Sequence, residues 1–582
     1  MPSLVQLRKR LALPQTSWQI CLLAIVGGAL SALLIVLFIS SIKGIQQFYL
    51  TQRDNYNSLD ALSRFDLPII GALIILLFAW LTGYKFLRTG IPFVLNRLKV
   101  THGVMPLKNT LNQFFGGVVA LSTGFSVGKE GPAVHLGAAC SSYIGSKLRL
   151  PYNSVRTLCA CGIAAGISST FNTPIAAVIF VMEVILREYK IHVFIPIMLS
   201  AIVGSLITQQ FFGTAHEYEF LQQITLNYHH YPSLILLGIA LGCLAFMFNR
   251  YLIVIIKHSA KLHIVTRIML AAFITGSIGC LIPYAMGTGL GGIDFSLQNQ
   301  WQLSLLLTLL VAKFLMTILA LGLGIPGGVI GPIVAIGAIA GVCASTVMAS
   351  FITNEYLSND FALMGMAGFL AATLNAPLTA LLTVMELSNQ IEIVIPAMIV
   401  ITTASIVSGQ FFKNRSIFIM QLDIQALTYR KPPIERSLQK IGVLALMQEN
   451  FTLLTSNDNN DEKMQKIKDI DTIRYTNHDK DNSLINETKE QSQHPFIIKK
   501  QTKSSNYFYW LEPNKDNDTP EKISIQHKLI ALSCQSTLDQ AYIALVDQRC
   551  GGVYVYDKTP DDIMGFITFE QIRLYLVKGQ LT

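Results

Sequence analysis

From Leu11 to Ile42 the chain carries no charged side chain, and residues 20–39 are almost wholly apolar. About 20 such residues make an α-helix long enough to cross the hydrocarbon core of a bilayer. A secretory signal has a shorter apolar region that ends in small residues for cleavage, so this stretch reads as a retained membrane helix. Arg8, Lys9 and Arg10 precede it and place the N-terminal segment, residues 1–17, in the cytoplasm by the positive-inside rule.

Further apolar stretches lie at 67–81, 193–212, 234–256, 268–286, 303–323 and 393–407. Charged residues make up 14% of the chain, against about 25% in an average soluble domain. The formal charge of +9 comes from scattered basic residues. That pattern fits basic cytoplasmic loops, and it lacks the basic–aromatic face of a nucleic-acid partner. Cys159 and Cys161 have no His or acidic partner at ligand spacing, so they read as small buried hydrophobes and no metal site is expected.

Composition changes near Lys413. Residues 18–412 read as a membrane domain and 413–582 as a cytosolic region, with a polar Asn/Asp/Lys-rich insert at about 455–494 that loops or is disordered. Near the end, 538–546 reads as a helix, 552–556 and 563–567 as strands, and 569–576 as a helix, the order of a small α/β module. The expectation is an all-α multi-pass protein of a cell (inner or plasma) membrane, both termini cytoplasmic, with a small α/β domain after it.

The membrane part repeats itself. Phe171-Asn-Thr-Pro-Ile-Ala-Ala-Val-Ile-Phe-Val-Met-Glu183 echoes Leu374-Asn-Ala-Pro-Leu-Thr-Ala-Leu-Leu-Thr-Val-Met-Glu386. Upstream, Gly131-Pro-Ala-Val-His-Leu-Gly-Ala138 echoes Gly331-Pro-Ile-Val-Ala-Ile-Gly-Ala338 at nearly the same offset. A duplicated unit of this kind, here roughly 60–215 and 230–412, builds transport proteins whose site lies where the halves meet.

Gly and Pro interrupt the apolar pattern at Thr89-Gly-Ile-Pro92, Gly128-Lys-Glu-Gly-Pro132 and Gly324-Ile-Pro-Gly-Gly-Val-Ile-Gly-Pro332. Irregular backbone at membrane depth survives only where protein or a water-filled cavity covers it. In each break Gly permits a tight turn and Pro begins a helix, so free amides and positive dipole ends could converge on an anion. A single break reads more readily as a kink or packing contact. Three of them, two in repeated units, favour the anion site.

These residues resemble the chloride channel and transporter (CLC) family over roughly 18–425. Gly128-Lys-Glu-Gly-Pro132 resembles its G-[KR]-E-G-P motif, and Gly328-Val-Ile-Gly-Pro332 its G-x-[FI]-x-P. Thr89-Gly-Ile-Pro92 looks like its G-S-G-I-P with Thr for Ser and Arg88 for the leading Gly. The resemblance implies two inverted-topology repeats with broken helices and a homodimer with one pore per subunit. It implies that the Thr89 hydroxyl and the amides of Val329 and Ile330 bind the central chloride. Gly90, Ile91, Lys129 and Gly131 of the same motifs, together with Phe418, complete the candidate anion-binding set, and Glu130 is the gating glutamate. An intramembrane carboxylate is costly and functional by default; a structural pair with Lys129 is the plainer alternative.

Two positions depart from the family pattern. Phe418 stands where the family places a tyrosine hydroxyl at the anion, and Val184 where proton-coupled members carry an inner glutamate. Glu183 is adjacent, but neighbours on an α-helix point about 100° apart. Glu183 and Glu386 therefore read as structural, satisfying helix ends. His102 and His135 read as packed, and Lys313 as pairing or snorkelling. The module at 536–579 looks like a cystathionine-β-synthase (CBS) repeat. An adenine nucleotide, which such repeats often bind in this family, finds no identifiable contact residues here, so no cofactor is expected. No Walker motif, hydrolase constellation or effector domain is present, which argues against an ATP-driven pump, an enzyme and a signalling receptor. The reading is a voltage-gated-type chloride channel conducting passively, with chloride/proton antiport as the alternative and a membrane sensor behind both.

Overall fold

A computed structural model describes residues 4–52, 54–84, 90–214, 226, 230–350, 357–425, 427, 433–455, 496–501, 506–512, 525–546 and 551–578. Thr89 and the polar insert from residue 456 onward lie outside the described residues. The chain divides into two compact units, one of Thr16–Leu148 and Ser154–Arg430, the other of Met1–Gln15, Arg149–Asn153 and Lys431–Thr582.

In chain order the helices begin with α1 (Leu4–Ala12), α2 (Trp18–Gln46), α3 (Ala61–Thr82), α4 (Gly90–Val100), α5 (Leu107–Ser122), α6 (Glu130–Lys147) and α7 (Tyr152–Phe171). Next come α8 (Pro174–Phe180), which runs on as a π-helix over Val181–Leu186, then α9 (Ile191–Phe212), α10 (Tyr231–Ser259), α11 (Ile264–Leu281) and α12 (Leu290–Gln298). The membrane unit closes with α13 (Leu303–Leu323), α14 (Ile330–Met348), α15 (Ser358–Leu374), α16 (Pro377–Ser388), α17 (Val394–Ile406) and α18 (Ile417–Ile424). Among the described residues eight helices are long and apolar enough to cross a membrane: α2, α3, α9, α10, α11, α13, α14, and α17 with its π-helical extension to Phe411.

Local chemistry sets the ends. Ser17 Oγ accepts the Ile20 amide at 3.4 Å and starts α2, while Asp60 accepts the Ser63 amide at 3.3 Å and starts α3. The sequence run 268–286 stops early, at Leu281, because Pro283 cannot continue the helix and holds Ile282 out of the helical region (φ −134°, ψ 79°). α18 packs beside α4, α10 and α15, so the membrane unit extends to Arg430 and not merely to the composition change near Lys413.

The repeat is visible in the backbone. Asn172 (φ 57°) ends α7 and Asn375 (φ 54°) ends α15, each in the left-handed region that Asn tolerates, and Pro174 and Pro377 then open α8 and α16. α6 crosses α7 at Gly137 and Gly162, and α14 crosses α15 at Gly337 and Gly365. A Cβ on any of the four would overlap a carbonyl oxygen of its partner. Small residues at such crossings let membrane helices pack backbone to backbone.

The second unit contains α1, α19 (Pro433–Leu438), α20 (Leu538–Leu545) and α21 (Phe569–Lys578). Strands β1 (Thr452–Thr455), β2 (Phe496–Gln501), β3 (Asn506–Glu512) and β4 (Ile525–Lys528) form one sheet in that order, parallel only between β1 and β2. β5 (Ile530–Ser533), β6 (Gly552–Tyr556) and β7 (Ile563–Thr568) form another, with β5 parallel and β7 antiparallel to β6. Leu438, Ile441, Leu538, Val553, Val555 and Ile567 make the core of this small α/β region. α1 is held by an Arg8–Asp557 ion pair at 2.8 Å and by the Gly442 amide donating to Ala12 O at 3.0 Å.

Candidate functional site

The second and third breaks meet. Gly128 and Gly328 exchange both backbone hydrogen bonds, at 2.8 and 2.7 Å, so the loops that lead into α6 and α14 lie side by side. A Cβ on Gly131 would stand 2.5 Å from Gly327 O, which only glycine avoids. Gly90, at φ 84°, opens α4 with Gly327 O as its nearest outside neighbour. The starts of α4, α6 and α14 thus converge on Gly327 and Gly328, and the unsatisfied amides and positive dipole ends of three helices share one place.

Glu130 is the first residue of α6 and is 2% exposed. Its Oε2 fills the space that side chains on Gly128 and Gly328 would need, and Oε1 lies 3.0 Å from the Cβ position of Gly331. The carboxylate therefore sits between the two helix starts, where an anion would be bound.

Two cavities flank this point. The larger, of about 550 Å³, is lined by Gly90, Ile91, Gly131, Val329 and Phe418, which gathers five of the residues singled out in the sequence. Phe418 presents a ring and no donor there. The smaller, of about 30 Å³, adjoins Glu130 and Ile330 and holds the hydroxyl-bearing side chains of Thr173, Thr379 and Thr383 among apolar neighbours. Lys129 is buried, with its ammonium 5.3 Å from the centre of the Phe171 ring, and lines neither cavity. Val184 is buried and also lines neither.

Sequence reasoning missed Arg267. This cation lines the larger cavity, where Nε donates to Leu323 O at 3.1 Å. The signal was present, since Arg267 is the one charged residue within α11, yet it abuts the run 268–286 and passes for its boundary. Glu183 and Glu386 do satisfy helix ends, and do so reciprocally. Glu183 accepts the Leu378 and Thr379 amides of α16 at 3.3 and 2.7 Å, and Glu386 accepts the Ile175 and Ala176 amides of α8 at 3.0 and 2.7 Å. Lys313 is fully buried and donates to Ala285 O and Gly287 O at 3.1 and 2.8 Å, so carbonyls hold it in place of a snorkelling path to water. His135 stacks on Phe93 at 5.4 Å, as a packed histidine should.

Comparison with known proteins agrees with this architecture. The model of the family described as voltage gated chloride channel matches residues 70–409. A Ralstonia nicotianae protein named "Putative chloride channel protein ClcB-like" is 29% identical over 55% of this chain and 77% of its own length. The "H(+)/Cl(-) exchange transporter ClcA" of Cronobacter sakazakii is 28% identical over 58% of this chain and 73% of its own. The crystal structure of a slow cyanobacterial Cl−/H+ antiporter superposes with a TM-score of 0.61 at 20% identity, covering 70% of this chain and 98% of that one, which shows the shared fold. The chain belongs to the voltage-gated chloride channel (CLC) family, a family of membrane transport proteins and not of enzymes.

Proposed function

We propose that this protein exchanges chloride for protons across the membrane, with Glu130 as the group that both blocks the anion path and carries the proton. The supporting observation is the seat of the Glu130 carboxylate between the starts of α6 and α14, a position that suits a chloride ion equally well. An ionised carboxylate competes with chloride for that seat; protonation removes the charge that holds it there. Relatives named as H(+)/Cl(−) exchangers favour this over the passive channel expected from Val184. Passive conduction is the second reading. It is favoured by the buried apolar side chain at Val184 and by the channel name of the Ralstonia relative.

In the same reading Thr89, Gly90, Ile91, Gly131, Val329 and Ile330 bind the anion, the protein is a homodimer in a cell membrane with both termini cytoplasmic, and the α/β region is CBS-like. The exchange is tested with the full chain in liposomes under a steep chloride gradient and no initial proton gradient. Chloride efflux should drive protons uphill, whereas chloride flow without proton movement would return the protein to the passive class. Selectivity tests the first motif: Thr89→Pro should shift preference from chloride toward nitrate, read from reversal potentials in mixed anions. An unshifted potential would remove Thr89 from the site.

A further inference from the structure

The larger cavity runs from exposed side chains, among them Tyr84, His263 and Gln425, to the buried Gly90, Gly131 and Val329 of the candidate site. Of the described residues that line it, Arg267 alone carries a formal charge, and none is a carboxylate. α2 and α3 are two successive apolar spans and return the chain to the face where it began. Tyr84, just past the end of α3, therefore puts the cavity's rim on the face of the N-terminal segment, the cytoplasmic one by the positive-inside rule.

Arg267 stands in the first turn of α11, where the dipole of its own helix disfavours a cation. What holds it there is the C-terminal end of α13. Nε donates to Leu323 O at 3.1 Å, and Nη2 lies 2.8 Å from where a Cβ on Gly324 would stand. Gly324, at φ 99°, leaves that space and opens the break that leads to Val329. Capping accounts for the hydrogen bond, and the negative end of the α13 dipole offsets part of the charge. No carboxylate offsets the rest. Among the described residues the guanidinium makes one hydrogen bond and no ion pair. A half-buried charge without a counter-charge costs free energy, and an anion in the cavity offsets that cost.

We infer that Arg267 is the positioning charge that gathers chloride in this cavity from the cytoplasmic face, before the ion reaches the starts of α4, α6 and α14. The inference rests on the anion-path half of the reading above and is independent of its proton half. Low-dielectric walls focus the field of a charge along a cleft, so one fixed cation raises the local concentration of chloride on this face alone.

The test is the chloride dependence of current across planar bilayers that hold the full chain, with chloride varied on one face at a time. Arg267→Met should raise the half-saturating chloride of one face by about fivefold, the effect of a unit charge a few ångström from an ion in water, and Arg267→Lys should restore it. The wild-type value should climb toward that of Arg267→Met as sodium gluconate is raised to about 1 M, where the Debye length is roughly 3 Å. Loss of the helix cap alone would lower the current in the Met and Lys variants together and leave half-saturation and its salt dependence unmoved. A wild-type half-saturation in Arg267→Met, or an equal shift in Arg267→Lys, overturns the inference. So does a wild-type half-saturation that ignores gluconate, a result that needs no variant to fold. Chloride current without proton movement leaves Arg267 its role and overturns exchange instead. A wild-type protein that carries no chloride current overturns the anion path and the inference with it.

Discussion

In Glu130→Gln, chloride efflux should lose its pH dependence and carry no protons. The wild-type carboxylate fills the gap between Gly128, Gly328 and Gly331, and on the proposed exchange reading chloride passes only when it leaves. Above the carboxyl pKa the protonated fraction changes about tenfold per pH unit. An efflux limited by protonation should therefore fall by up to about tenfold for each unit of rising pH. Glutamine has nearly the same shape and no charge at any pH, so the dipoles of α6 and α14 no longer favour it over chloride, and the profile becomes flat. Efflux from proteoliposomes at a series of pH values reads the slope directly. A slope as steep as wild type in the variant would place the gate on another residue.

The second large effect is structural. Gly341→Val should abolish stably folded protein. A Cβ at this position falls within the radius of Phe361 O and 2.6 Å from its carbonyl carbon, both of them backbone atoms of the facing helix α15. Overpacking against yielding side chains costs about 1–3 kcal/mol, and a fixed backbone yields less. The loss is a large share of a total stability of roughly 5–15 kcal/mol. The control is Gly44→Ala, where nothing lies within 4 Å of the new carbon, and it should leave yield and melting temperature nearly unchanged. Size-exclusion chromatography and thermal unfolding of the two variants in detergent make the comparison. A monodisperse Gly341→Val protein with the wild-type melting temperature would mean that α14 and α15 do not cross this closely.

Much of the fold was legible because membrane burial writes itself into composition. The runs 67–81, 193–212, 234–256 and 303–323 all fall within helices, and the Asn-x-Pro repeats mark two helix junctions of matching geometry. The meeting of the broken helices was legible as well, since Gly and Pro in an apolar stretch have few other uses at membrane depth. What spacing could not reveal was backbone that departs from the α-helix. The π-turn at Val181–Leu186 is such a departure, and no residue type announces it. Strands β1 to β5 were also missed, and polar segments separate β1 to β4 from one another. Arg267 escaped notice for a different reason, being a charge at the edge of an apolar run whose role depends on α13 folding beside it.

The central claim is that chloride and proton movement are one process. The most direct test is the zero-current potential of the reconstituted protein, recorded at a fixed chloride gradient while the pH gradient is varied. Coupled exchange predicts that this potential moves with the pH gradient in wild type and stops moving in Glu130→Gln. A wild-type potential pinned to the chloride equilibrium value at every pH gradient would contradict it.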